Sequence, residues 1–183
     1  MRGNQDHKKY CKYAQHLRDA QTTNFGLVDN ISLHELHTRY LAWRRFHQLN
    51  LTSACIHALA LATDISRAKT HTLRIGIAPR THLDHGGDTG KFFQIEFCQV
   101  YAMAEAKSLS IGWERIVEEV ELHRATPRVR GSNIYVLVGI EVYPFPPYTS
   151  PFILNFKPKS LCTNWEWCLK ELVQLGVKSR VLW

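Results

Sequence analysis

Thr72-Leu-Arg-Ile-Gly-Ile77 alternates apolar with polar or small side chains, Pro79 closes it, and Phe93-Gln-Ile-Glu-Phe-Cys98 repeats the alternation after a polar loop. A period of two sends every second side chain to one face, so both stretches read as half-buried strands, the second ending near Ala102. Downstream the period becomes helical. Trp113, Ile116, Val117 and Val120 fall at i, i+3, i+4 and i+7, opposite Glu114, Arg115, Glu118, Glu119 and Glu121. This is an amphipathic helix laid on a sheet, opened by Ser108 or Ser110. Asn133 to Tyr143 is apolar on both faces and reads as a central strand covered on both sides. Pro144, Pro146, Pro147 and Pro151 make a rigid connection, and Phe152 to Lys157 a short strand. Thr163-Asn-Trp-Glu166 has capping-box spacing. The helix behind it buries Trp165, Cys168, Leu169, Leu172 and Val173, and Gly176 sits where a left-handed residue ends it. Val177 to Trp183 reads as a final strand.

Upstream, Ser32-Leu-His-Glu35 is a second capping box. A helix follows to about Gln48, with Leu33, Leu36, Tyr40, Trp43 and His47 on one stripe. A further helix, about Ser53 to Arg67, carries Ile56, Leu59, Ala60 and Thr63 on one face. The short break between them predicts a helical hairpin. Residues 1–30 form a basic polar arm, and 31–183 a single α+β domain. The expected fold is the helical hairpin and two amphipathic helices packed on a mainly antiparallel sheet of about five strands. The β-α-β-β-α-β order from Phe92 to Leu182 is compatible with a ferredoxin-like C-terminal half.

A length of 183 residues is enough to bury a core without staples. The net charge of +7 and pI near 9.3 favour polyanionic partners, nucleic acid or an anionic membrane surface. Cys11, Cys55, Cys98, Cys162 and Cys168 are odd in number and include no CxxC pair, which argues against a disulfide framework or a Cys-rich zinc site and for a reducing compartment, cytoplasmic or nuclear. Cys55 and Cys98 lie in apolar runs and read as small core residues. The first nine residues lack an apolar h-region, and Arg2 stands where N-myristoylation needs glycine. No apolar run approaches the roughly 20 residues needed to span a bilayer, so any membrane association is expected to be peripheral.

No complete catalytic motif is present. His82-Leu-Asp84-His85 looks like part of the HxHxDH metal loop of metallo-β-lactamase-fold hydrolases, but Arg80 occupies the place of the first histidine. These three residues could coordinate zinc by chemistry alone; the alternative is a Gly-rich hairpin loop whose Asp and Gly serve the turn. The glycines before Lys91 miss the P-loop spacing by one residue, and Phe92 replaces its Ser or Thr. His34-Glu35-Leu-His37 has the wrong spacing for a zinc-peptidase helix. No cofactor is expected.

Basic residues recur at Lys8, Lys9 and Lys12, at Arg44 and Arg45, at Arg124, Arg128 and Arg130 in an expected basic turn over 124–132, and at Lys157 and Lys159. If they share a face they form a footprint for phosphates; scattered, they only solubilise the fold. Tyr143, Phe145, Tyr148 and Phe152 surround the prolines, either packed beneath the loop or offered to a membrane or partner.

Lys91-Phe-Phe-Gln-Ile-Glu-Phe97 leading into the Ser110–Val120 helix, and Ile134–Val142 leading to a Trp-containing helix and strand, resemble the matrix proteins of rhabdoviruses, particularly the short ones of plant-infecting members. The resemblance implies a structural protein of the virion that bridges a ribonucleoprotein to the cytoplasmic face of a membrane and self-associates as a homo-oligomer. The leading expectation is therefore a non-enzymatic, matrix-like scaffold that binds anionic surfaces by Lys and Arg attraction and apolar insertion. A sequence-tolerant RNA-binding protein with Tyr135 or Tyr143 as stacking platforms is the second expectation. A metal-dependent hydrolase using His82, Asp84 and His85 is the third.

Overall fold

A computed structural model describes residues 33–80, 88–125, 134–141, 148–154, 162–180 and 183. Helices α1 (Leu33–Phe46), α2 (Gln48–Ala58) and the short α3 (Arg67–Thr70) precede strand β1 (His71–Pro79). A 3-10 turn at Thr89–Lys91 leads into β2 (Phe93–Ala102), followed by α4 (Met103–Lys107), α5 (Ile111–Ala125), β3 (Ile134–Glu141), β4 (Tyr148–Leu154) and α6 (Trp165–Leu175). The fold is α+β. Its sheet has the order β2-β1-β3-β4, with β1–β2 and β3–β4 antiparallel and β1–β3 parallel.

Helices cover both faces of this sheet. On one face, Leu73, Ile75 and Ile77 of β1, Phe93 of β2 and Ile140 of β3 meet Leu36, Tyr40 and Trp43 of α1, Leu51, Cys55 and Ile56 of α2, and Leu169 and Val173 of α6. Trp43 and Phe93 pack edge to face with centroids 5.7 Å apart, a geometry that suits the opposed charge of ring face and ring edge. On the other face, Trp113 and Val117 of α5 join Met103 and Ala106 of α4. Gly139 makes that contact possible, because a Cβ there would lie 2.1 Å from the Trp113 ring.

A bulge divides β2 between these faces. Gly76 opposes Phe97, whereas Ile77 opposes Ile95, so Glu96 is an extra residue and the alternation reverses across it. Phe93 and Ile95 face the main core before the bulge, and Cys98 and Val100 face it afterwards. Phe97 is thrown to the opposite side, where the Arg74 guanidinium lies 5.0 Å above its ring. A simple two-residue period would have kept Phe97 beside Ile95.

Several expectations hold. The α1 stripe of Leu36, Tyr40, Trp43 and His47 is buried. Ser110 accepts a bond from the Trp113 amide at the start of α5 (3.3 Å), as a capping serine does. Gly176 has φ 66°, and the Val177 amide bonds back to the Leu172 carbonyl at 2.8 Å. β3 is a central strand, between β1 and β4.

Others are corrected. The described residues contain four strands rather than about five, in a mixed sheet, and the strand at Phe93 pairs with β1 instead of a ferredoxin-like partner. Val177 to Ser179 make no ladder, because α2 side chains take up their backbone groups. The N-terminal hairpin is replaced by two helices meeting at the single residue His47, which keeps helical bonds to Trp43 and Leu51 and leaves no loop in which to reverse. α2 starts and stops earlier than expected, ending at Ala58; Ala60, with φ 51°, cannot continue a right-handed helix. At α6 the N-cap is Asn164, without a side-chain cap bond, so the Thr163 capping box does not form. β4 begins at Tyr148, four residues before the expected start at Phe152, so Tyr148 and Pro151 lie in a strand rather than in the connection. Proline is tolerated there because β4 is an edge strand. The capping serine Ser32 and the arm 1–30 lie outside the described residues.

Candidate functional site: a cleft beside the last helix

Buried polar residues on α2 and its joint position the site. His47, Asn50, Ser53 and His57 follow one another at three- and four-residue steps and so share a helical stripe. Asn50 Nδ2 donates to the Val177 carbonyl (2.8 Å), and its Oδ1 accepts from the Ser179 amide (3.1 Å). Ser53 Oγ accepts from the Trp183 amide (3.2 Å). His57 Nδ1 accepts from the Cys162 amide (3.1 Å), which leaves Nε2–H to donate to the Trp183 main-chain oxygen, with the two rings stacked 5.3 Å apart. The stripe thus fixes the chain on both sides of α6. Its polar groups are paired, so their burial carries no desolvation penalty from orphaned donors or acceptors.

His47 extends this tie to the turn before β2. Asn50 Nδ2 points at His47 Nδ1 (2.8 Å), so the proton sits on Nε2 and is donated to the Gly90 carbonyl (2.8 Å). Burial lowers the His47 pKa below its ordinary 6.5, against the raising effects of the Gly90 bond and Asp88; Arg80 lowers it further. A depressed histidine is neutral in both folded and unfolded chains well above 6.5. As pH falls through that value the unfolded state takes up the proton first, so stability is lost on the acid side. Thermal unfolding from about pH 7 to about pH 5 is expected to show a falling midpoint, flattened in His47→Gln, which keeps a donor for Gly90. His37 is lowered too, by burial and then by His34, so the slope is reduced rather than removed.

What this scaffold presents is a cleft of about 570 Å³ lined by Cys162, Trp167, Cys168, Leu172 and Trp183, with Glu171, Ser179 and Arg180 adding polar groups. Trp167, Glu171 and Leu175 stand at i, i+4 and i+8 on α6, opposite its buried Leu169 and Val173. Trp167 is 64% exposed, and Leu175 and Val177, at and beyond the far end of α6, are exposed too. Cations gather where α6 ends. Arg80 reaches the Val173 and Gln174 carbonyls at 3.4 and 3.3 Å, offsetting the negative pole of the helix. The Lys91 side chain lies close against Gly176. Lys178 and Arg180 follow, both exposed.

Few of the residues singled out in the sequence are brought to this place. Arg44 and Arg45 occupy the last turn of α1, Arg45 exposed and Arg44 half-buried. Arg124 falls in the last turn of α5 instead of in a basic loop. Lys8, Lys9, Lys12, Arg128, Arg130, Lys157, Lys159, Tyr143, Phe145 and the histidine loop His82, Asp84 and His85 lie outside the described residues. Among the described residues no group of three His, Cys, Asp or Glu side chains could hold a metal ion. Sequence reading missed Trp167, Lys178, Arg180 and the polar stripe of α2. Two signals were available: Trp167 falls off the Trp165–Leu169–Leu172 stripe, and His47, Asn50, Ser53 and His57 repeat at helical spacing.

Comparison of the chain with protein-family models, with curated proteins and with solved structures finds no match.

Proposed function

We propose that this chain is a non-enzymatic, matrix-like scaffold protein that docks peripherally on an anionic membrane surface through the cleft face of α6. The observation that carries the reading is Trp167, exposed on an apolar cleft whose lining also includes Arg180, with the exposed Lys178 two residues before that arginine. An indole ring suits the headgroup level of a bilayer, the exposed Leu175 and Val177 at the other end of α6 gain by insertion, and each Lys or Arg at the surface adds about 1 kcal/mol of attraction to anionic lipid. Glu171 opposes this locally, whereas Glu166 is already paired with Lys170 at 2.8 Å. No helix among the described residues is long and apolar enough to cross a membrane, which is consistent with peripheral contact. Ribonucleoprotein binding and self-association belong to the same proposal and are assigned to no described surface.

The test is flotation with anionic vesicles. Trp167→Ala removes a side chain the fold does not bury, so the protein should stay folded while its partition falls roughly ten- to thirtyfold, as expected from about 1.5–2 kcal/mol of apolar burial. Unchanged partition of Trp167→Ala would remove this face from the reading.

A further inference from the structure

Two thiols face each other across one wall of the cleft, with Cys162 Sγ 4.0 Å from Cys168 Sγ. Each is held by its backbone, Cys162 by its amide on His57 Nδ1 (3.1 Å) and Cys168 by its amide on the Asn164 carbonyl (3.0 Å). A disulfide needs the sulfurs about 2 Å apart, so they must close by about another 2 Å, a distance within reach of side-chain rotation. The other described thiols are less available. Cys55 is enclosed in the core, and Cys98 is pushed up to about 12 by burial first and Glu166 second.

We infer that Cys162 and Cys168 form a redox-active dithiol, a modification site that a small hydroperoxide entering the cleft oxidises to a disulfide. One thiolate attacks the peroxide oxygen, breaking the O–O bond and giving a sulfenic acid and a hydroxide that leaves as water after protonation. The second thiolate then attacks the sulfenic sulfur, forming the S–S bond and expelling a second hydroxide, also protonated to water. Two thiols and one hydrogen peroxide thus become one disulfide and two waters. Burial and the facing thiol raise the Cys168 pKa, so the reaction quickens as pH rises. The bond would tie the segment three residues before α6 to its first turn and stiffen the wall beside Trp167. This inference does not depend on what docks in the cleft.

The test treats the full chain with one equivalent of hydrogen peroxide, alkylates the remaining thiols and maps the peptides by mass. The expected result is loss of two of the five thiols in a single linked species, lighter by two hydrogens, joining Cys162 to Cys168 and reversed by dithiothreitol. It should form roughly tenfold or more faster than Cys98 is modified. In Cys162→Ser the link is lost, and Cys168 is trapped as a sulfenic acid by dimedone. Wild-type protein in which both thiols stay open to alkylation, or in which either is linked to Cys11, Cys55 or Cys98, would overturn the inference without any variant having to fold.

Discussion

Replacing Trp113 with alanine is expected to lower the unfolding free energy by roughly 3–5 kcal/mol, the range for removing a fully buried large aromatic side chain. The ring is wholly inaccessible and fills the space left by Gly139. Its loss strips the second core cluster, Met103, Ala106 and Val117, of its largest member. Trp113 Nε1–H also donates to Glu141 Oε1 (2.5 Å), while Glu141 Oε2 accepts from Arg74 (2.7 Å). The glutamate thus links a helix to the middle of the sheet, and it is the first cause of the raised Arg74 pKa. Trp113→Phe retains a ring but leaves one carboxylate oxygen unpaired, and about 1–3 kcal/mol should be lost. Denaturant unfolding followed by circular dichroism measures both. A loss below about 1 kcal/mol for the alanine variant would show that α5 does not pack on β3 through this residue.

Reversing two charges should have the largest effect on binding. Lys178→Glu with Arg180→Glu removes two attractions to an anionic surface and adds two repulsions. At about 1 kcal/mol per charge this comes to roughly 4 kcal/mol, or two to three decades in vesicle partition at low ionic strength. Both side chains are exposed, and the backbone between them is held by the Ser179 bond to Asn50, so the fold should not change. Titration with phosphatidylserine-containing vesicles measures the loss. A change of less than about threefold would mean that the cations at the end of α6 do not face the membrane.

The strands and helices that declared themselves in the sequence did so through period and punctuation. In β1 the sequence sets Leu73, Ile75 and Ile77 on one face up to Pro79, although the other face is partly buried as well; α1 keeps Leu36, Tyr40 and Trp43 on one stripe, and α6 ends at the left-handed Gly176. Events of one residue were not legible. The bulge at Glu96 redirects Phe97, the joint at His47 replaces a hairpin loop, and Ala60 halts α2. Each depends on tertiary partners that a local pattern does not contain. The final segment, Val177 to Trp183, was read as a strand; what orders its described backbone is Asn50 and Ser53, some 130 residues upstream. The candidate site was hidden for a related reason. Cations were sought as runs, such as Arg44-Arg45, whereas the group at the end of α6 is assembled from Arg80, Lys91, Lys178 and Arg180, which are scattered singly along the chain.

The central claim is tested most directly by flotation of the wild-type chain with vesicles of phosphatidylcholine alone and with added phosphatidylserine, each at low and high salt. The account predicts comigration with the anionic vesicles at low salt, weakened severalfold or more at about 1 M salt, where screening shortens electrostatic reach to about 3 Å, and little with the neutral ones. Equal binding to both compositions, or none to either while RNA is retained in a salt-sensitive way, would contradict it.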